Sequence, residues 1–151
     1  MAAATHTPGG AALTGLILEI FRLNGRLLVE GDRLVAGLLL TSARWQVLGA
    51  IAYAEQPQPV AWLARSMGLN RQGVQRIVNE MKDEGLVAFE ANPHHRRAQL
   101  VVLSKTGRDR FAAVERLQAP WVNRLAKGIA AQEIEAARRT VSTVRERLGQ
   151  E

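Results

Sequence analysis

Gly68 is the residue that most constrains how this chain folds, because it separates two short amphipathic stretches whose spacing few folds accommodate. Residues 60–67 read as a short helix, with Ala64 placed four positions before the glycine. Asn70 can cap a second helix over 71–84, with Val74, Ile77, Val78 and Met81 as a stripe at i, i+3, i+4 and i+7. Gly85 ends it at a position that favours a left-handed backbone. Two helices that cross closely need a small residue at the crossing, a turn residue that tolerates positive φ, and apolar side chains that lock the pair. Ala64 and Gly68 meet the first two needs, Leu69 is expected to plug the turn, and Val74 and Ile77 face back into the core. The pattern is that of a helix-turn-helix.

After Leu86 the apolar period drops from about 3.6 to about two, and 86–90 and 99–103 read as strands of a hairpin. Its tip holds Asn92, Pro93, His94, His95, Arg96 and Arg97. Pro57 and Pro59 mark a loop before the first helix of the pair, and a helix over 42–54, capped by Thr41 or Ser42, precedes that loop. At the N-terminal end Leu13, Leu16, Ile20, Leu23 and Leu27 alternate by three and four, as they would to pack on another helix. Asn24 and Gly25 are expected to bend or break this helix, and Gly31 and Asp32 to end it. Ser104 can cap a helix over 105–127 with a kink before Pro120. After Gly128, Ile134, Ala137, Val141, Val144 and Leu148 form a second such stripe. The fold class is therefore mainly α with a small β-wing. One compact domain is expected, made of a flexible tail (1–10), an N-terminal helical region (11–40), a winged helix-turn-helix (41–103) and C-terminal helices (104–151).

Charge placement points to a polyanionic partner. The net charge is +6, and the two segments 56–79 and 91–108 hold seven of the 20 basic residues and none of the 14 acidic ones. On the second helix of the pair, Arg71, Gln72, Gln75 and Arg76 lie opposite the apolar stripe. Arginine and glutamine are the side chains that bond guanine and adenine edges in bidentate fashion. Arg96 and Arg97 stand where a hairpin tip can enter a minor groove. With no cysteine, the chain has no disulfide, thiolate metal site or thiol-based peroxide sensor, which suits residence in the cytoplasm. The longest apolar run, residues 34–40, is too short to span a bilayer, so no membrane role is expected. Phosphate-loop, dinucleotide, nucleophile-elbow and zinc-protease motifs are absent, and no cofactor or catalysis is expected. His94 and His95 are adjacent, which is not the spacing of a helical metal site. Trp62 and Trp121 read as core or interface residues.

Three runs resemble the MarR family of bacterial regulators: 40–48 (LTSARWQVL), 67–76 (MGLNRQGVQR) and 92–104 (NPHHRRAQLVVLS). The resemblance spans about 13–148. It implies a homodimer joined by the first and last two helices, with the helix from Arg71 in the major groove of double-stranded DNA and the wing arginines in the minor groove. Asn70, Arg71, Gln72, Gln75, Arg76, Arg96 and Arg97 are then the DNA-binding residues, and the operator is a pseudo-palindrome. It further implies a repressor released by a small aromatic or phenolic effector. Arg44 and Trp45 lie on the helix bounding the family's effector cleft, although Arg44 by itself reads as a solvent-exposed cation. The family places an acid two positions before the second wing arginine, and this chain has His95 there. The alternative is a winged-helix interaction module that binds RNA or a protein partner.

Overall fold

The computed structural model describes residues 5–149, which fall into two compact units that divide between residues 115 and 116. Six α-helices and three short strands are described: α1 (Pro8–Val35), α2 (Ser42–Ala52), β1 (Gln58–Pro59), α3 (Val60–Met67), α4 (Arg71–Asp83), β2 (Val87–Glu90), β3 (Leu100–Leu103), α5 (Lys105–Ala126) and α6 (Ala131–Leu148). Helix α5 runs across the boundary between the units. The strands form one antiparallel sheet in the order β1-β3-β2, with Phe89 and Gln58 both opposite Val101. The fold class is the expected one, mainly helical with a small β-wing.

The helix starts follow from capping. Thr7 Oγ1 accepts from the Gly10 amide at 3.0 Å, and Pro8 occupies the first turn of α1, where its missing N–H costs nothing. Three residues expected in the flexible tail, Pro8, Gly9 and Gly10, are therefore helical, while the first four tail residues lie outside the described residues. Helix α1 also runs unbroken through Asn24 and Gly25. A helical glycine costs about 1 kcal/mol, less than closing one helix and nucleating another. Gly31 does not end α1 either. It is buried where α1 meets α2, and the helix continues to Val35, which is fully buried in the core. Helix α5 continues past Pro120 to Ala126.

The core of the first unit gathers residues from distant parts of the chain: Val35, Val47, Leu48, Leu63, Val74, Val78, Met81, Leu86, Val101 and Val114 are all nearly or fully buried. The stripe read on α4 is thus its inner face, with Ile77 half-buried beside it. Both predicted turn glycines adopt positive φ, +65° at Gly68 and +74° at Gly85. Each closes a helix by the same paired bonds. The Leu69 and Gly68 amides donate to the Ala64 and Arg65 carbonyls, and the Leu86 and Gly85 amides to those of Met81 and Lys82. The Leu69 side chain, however, is half exposed and does not plug the turn. Its backbone serves the turn, while Leu63 and Ala64 fill the crossing. Trp62 is 62% exposed, so it is not a core residue of this unit.

The proline loop before α3 contains a strand that alternation could not reveal. Gln58 and Pro59 pair with β3, and two residues are too few to show a period of two. Their pairing ties the start of α3 to the wing.

Candidate nucleic-acid interface

Helix α4 presents its outer face to solvent because its inner face is fully used. Asn70 starts it, with Oδ1 accepting from the amides of Gln72 (2.8 Å) and Gly73 (3.2 Å). This commits the Asn70 side-chain carbonyl to the cap. Arg71, Gln72 and Arg76 are exposed, and Gln75 is half-buried. Among the described residues, no hydrogen bond or ion pair engages the side chains of Arg71 and Gln72, so both are free to meet a ligand. Gln75 and Arg76 are directed along the helix instead. Gln75 Nε2 donates to Asn79 Oδ1 at 3.0 Å, and Arg76 Nη1 to Glu80 Oε1 at 2.9 Å.

The wing tip is held by a small side chain–backbone network. Asn92 Nδ2 donates to the Ala98 carbonyl (2.8 Å), and the His94 amide donates to Asn92 Oδ1 (3.0 Å). Backbone bonds from His95 to Asn92 and from Ala98 to His95 complete the loop. This leaves Arg96 and Arg97 exposed, and no carboxylate among the described residues pairs with either. The wing brings Arg97 beside α4, where it lines a cleft of about 220 Å³ with Arg71, Gln75, Asn79 and Phe89. Arg96 is not among the residues lining that cleft. A second cleft, of about 590 Å³, lies beside Trp62, Arg71, His94, His95 and Leu100. No acidic side chain lines either one. The two basic segments thus converge on one surface, with Arg71 lining both clefts.

Arg44 is not the exposed cation its place in the sequence suggested. Its side chain is 19% exposed and bridges α2 to α4, with Nη1 donating to Glu84 Oε2 at 2.7 Å and Nη2 to Glu80 Oε2 at 3.3 Å. The hydrogen bond to Glu84 raises the Arg44 pKa above its ordinary value, against the opposing effect of burial. The bond from Arg44, more than that from Arg76, holds the Glu80 carboxyl below its own. Trp45 sits half-buried, one ring carbon 3.6 Å from where a Cβ on Gly31 would lie. Sequence reasoning missed Glu80 and Glu84. The i,i+4 spacing of Arg76 and Glu80 was visible, but Arg44 and Glu84 are 40 positions apart and no local pattern joins them.

The chain is similar to known proteins in sequence and in fold. A model of the MarR family matches residues 40–98. An uncharacterized protein of Mycobacterium tuberculosis is 35% identical over 123 residues, 82% of this chain and 85% of that protein. The transcriptional activatory protein BadR of Rhodopseudomonas palustris is 30% identical over 95 residues, 62% of this chain and 54% of that one. In structure the chain is similar to CouR of Rhodococcus jostii RHA1, crystallised with p-coumaroyl-CoA, at a TM-score of 0.75 and 21% identity over 83% of this chain and 88% of that one. Helix pair, wing, matched segment and relatives agree, and the chain belongs to the MarR family of winged helix-turn-helix transcription regulators.

Proposed function

We propose that this protein is a homodimeric regulator that reads a pseudo-palindromic site in double-stranded DNA, with α4 in the major groove and the wing in the minor groove. The observation that carries this reading is the acid-free cleft in which unpaired Arg71 of α4 stands with Gln75 and with Arg97 of the wing. Arg71, Gln72 and Gln75 are assigned to base edges, where each bidentate contact is worth about 1–3 kcal/mol of discrimination. Arg76 and Arg96 are assigned to the DNA surface beside them. Asn70 acts mainly by starting the helix. Arg97 is assigned to the minor groove, and because His95 offers it no carboxylate, the cleft residues of α4 take over the task of aiming it.

Dimerisation is supported by large apolar side chains exposed on α1 and on α6. On α1, Phe21 is 70% exposed and Leu23 and Leu27 are exposed with it; on α6, Ile134, Val141 and Leu148 are exposed. Covering these faces with a second copy would bring two α4 helices to half-sites about 34–36 Å apart. Among the described residues no single helix is long and apolar enough to cross a membrane, which is compatible with action in the cytoplasm.

The reading extends to repression that is relieved by a small aromatic or phenolic effector, as a ligand bound to CouR suggests. Arg44 and Trp45 are its contacts in this reading, with the condition that an incoming carboxylate displaces Glu80 or Glu84 from Arg44. BadR is named as an activator, so the sign is tested separately.

The test is binding to a duplex selected by the protein from a random pool, against its scrambled counterpart, at two salt concentrations. A preference of a hundredfold or more, at two protomers per duplex, is expected. Equal binding to both duplexes overturns the reading. Binding to RNA or a protein in preference to duplex DNA would favour an interaction module. A reporter carrying the selected site gives the sign of regulation.

A further inference from the structure

Arg44 of α2 joins Arg76, Glu80 and Glu84 in a network that the stability of α4 alone does not explain. Glu80 accepts from two arginines at once, Arg76 on its own helix and Arg44 on α2. Arg44 lies in the first turn of α2, where the helix dipole disfavours a cation. Glu80 and Glu84 lie at the end of α4, where the dipole disfavours an anion. Arg44 and Glu84 are thus poorly placed with respect to their own helix dipoles and are paired across the two helices, while Glu80 is paired both within α4 and across to α2. Meanwhile Arg76, 70% exposed and on the outer face, is already engaged by a carboxylate, whereas Arg71 on the same face is not.

An exposed arginine free of partners can reach phosphates in many rotamers, which strengthens binding to any DNA sequence. One held by a carboxylate has its direction restricted and its attraction to phosphate partly neutralised. The carboxylate itself must be fixed for this to work, and Arg44, largely buried and bound to both acids, fixes it.

We propose that Glu80 and Arg44 are positioning residues for sequence discrimination: Arg44 anchors Glu80 to α2, and Glu80 restrains Arg76 so that it adds little to indiscriminate phosphate binding and approaches DNA in one orientation. The inference rests on the assignment of α4 to the DNA surface.

The experiment measures affinity and salt dependence on the selected duplex and its scrambled counterpart for the wild type, E80Q, R44K, R76A and R76A combined with E80Q, with thermal unfolding run on each. E80Q is expected to tighten binding to scrambled DNA, steepen the salt slope there by about one, and lower the selected-to-scrambled ratio roughly three- to tenfold, on the scale of losing part of one base contact. R44K keeps the charge but loses the planar fork whose two nitrogens meet Glu84 and Glu80 separately, and is expected to lower the ratio less. In the R76A background E80Q is expected to leave the ratio unchanged. A wild type without preference overturns the DNA reading and this inference with it. A wild type with preference, whose affinities for both duplexes shift by the same factor in E80Q and R44K, overturns this inference alone. An E80Q effect that is equal with and without Arg76 overturns it as well.

Discussion

Gly107, in the first turn of α5, lies so close to the end of α4 and the start of the wing that a Cβ atom there would stand 1.9 Å from the carbonyl oxygen of Leu86. That carbonyl accepts from the Ser104 amide at 3.0 Å, and Ser104 Oγ donates to the Gly85 carbonyl beside it. The contact is between backbones, so no rotamer change relieves it. Gly107→Ala should cost about 3 kcal/mol, the upper range for an overpacked interior, read as a lower urea midpoint. Gly25→Ala, with nothing within 4 Å of the added methyl, should stabilise by about 0.5–1 kcal/mol. Equal effects at the two sites would show that the close approach is not maintained in solution.

The crossing of α1 and α2 depends on Gly31 in a related way. A Cβ there would lie 2.3 Å from Ser42 Oγ, which donates to the Leu28 carbonyl at 2.8 Å. Gly31→Ala should therefore displace the hydroxyl and lower stability by about 1–3 kcal/mol. Adding Ser42→Ala should recover part of that loss, because it removes the atom in the way. A double variant no more stable than Gly31→Ala would place the clash elsewhere.

Asn70 separates helix capping from DNA contact. Asn70→Ala removes the acceptor for two amides and should cost about 1 kcal/mol. Asn70→Asp keeps the acceptor and suits the helix dipole, so stability should hold while affinity for DNA falls through repulsion of phosphate. Circular dichroism during thermal unfolding, set beside duplex binding, checks both expectations.

The base-reading assignment predicts unequal losses. Arg71→Ala or Gln75→Ala should weaken the selected duplex by about 1–3 kcal/mol and scrambled DNA by less. Arg97→Ala should weaken both and reduce the salt slope by about 0.9. Equal losses on the two duplexes for Arg71 and Gln75 would remove them from base readout, and an unchanged slope for Arg97 would remove the wing.

Acid should dissolve the Arg44–Glu80 bridge. Arg44, and secondarily Arg76, hold the Glu80 carboxyl below its ordinary value of 4.5. The folded state therefore favours the charged form. The stability this contributes is complete above the ordinary value and is lost as pH falls through the lowered one. The difference in urea midpoint between wild type and E80Q should stay constant from neutral pH to about 5 and shrink below that. A difference that grows in acid would reverse the sign of the linkage.

Much of this architecture was legible because it is written in short-range terms. The caps at Asn70 and Ser104, the left-handed glycines at 68 and 85 and the inner stripe of α4 each depend on residues a few positions apart. The same holds for the exposed row from Arg71 to Arg76, since a helix with one face in the core turns the opposite face outward. The misreadings share the opposite property. Gly31 resembles a helix stop until Ser42 and Trp45 are brought against it. The two-residue strand β1 exists only through its pairing with β3. Leu69 looks like a core residue by type, but the crossing it flanks is already filled by Leu63 and Ala64.

By itself, then, the amino-acid sequence determined the order of helices and wing, the face that α4 turns to solvent, and the concentration of basic residues in two segments, because periodicity, capping and charge are local properties of the chain. Only the tertiary structure decided that Arg97 lies beside Arg71 and Gln75, and that Arg44 is tied to Glu80 and Glu84 rather than open to solvent. Those pairings join residues tens of positions apart, and they arise from packing of the shared core, which no local pattern encodes.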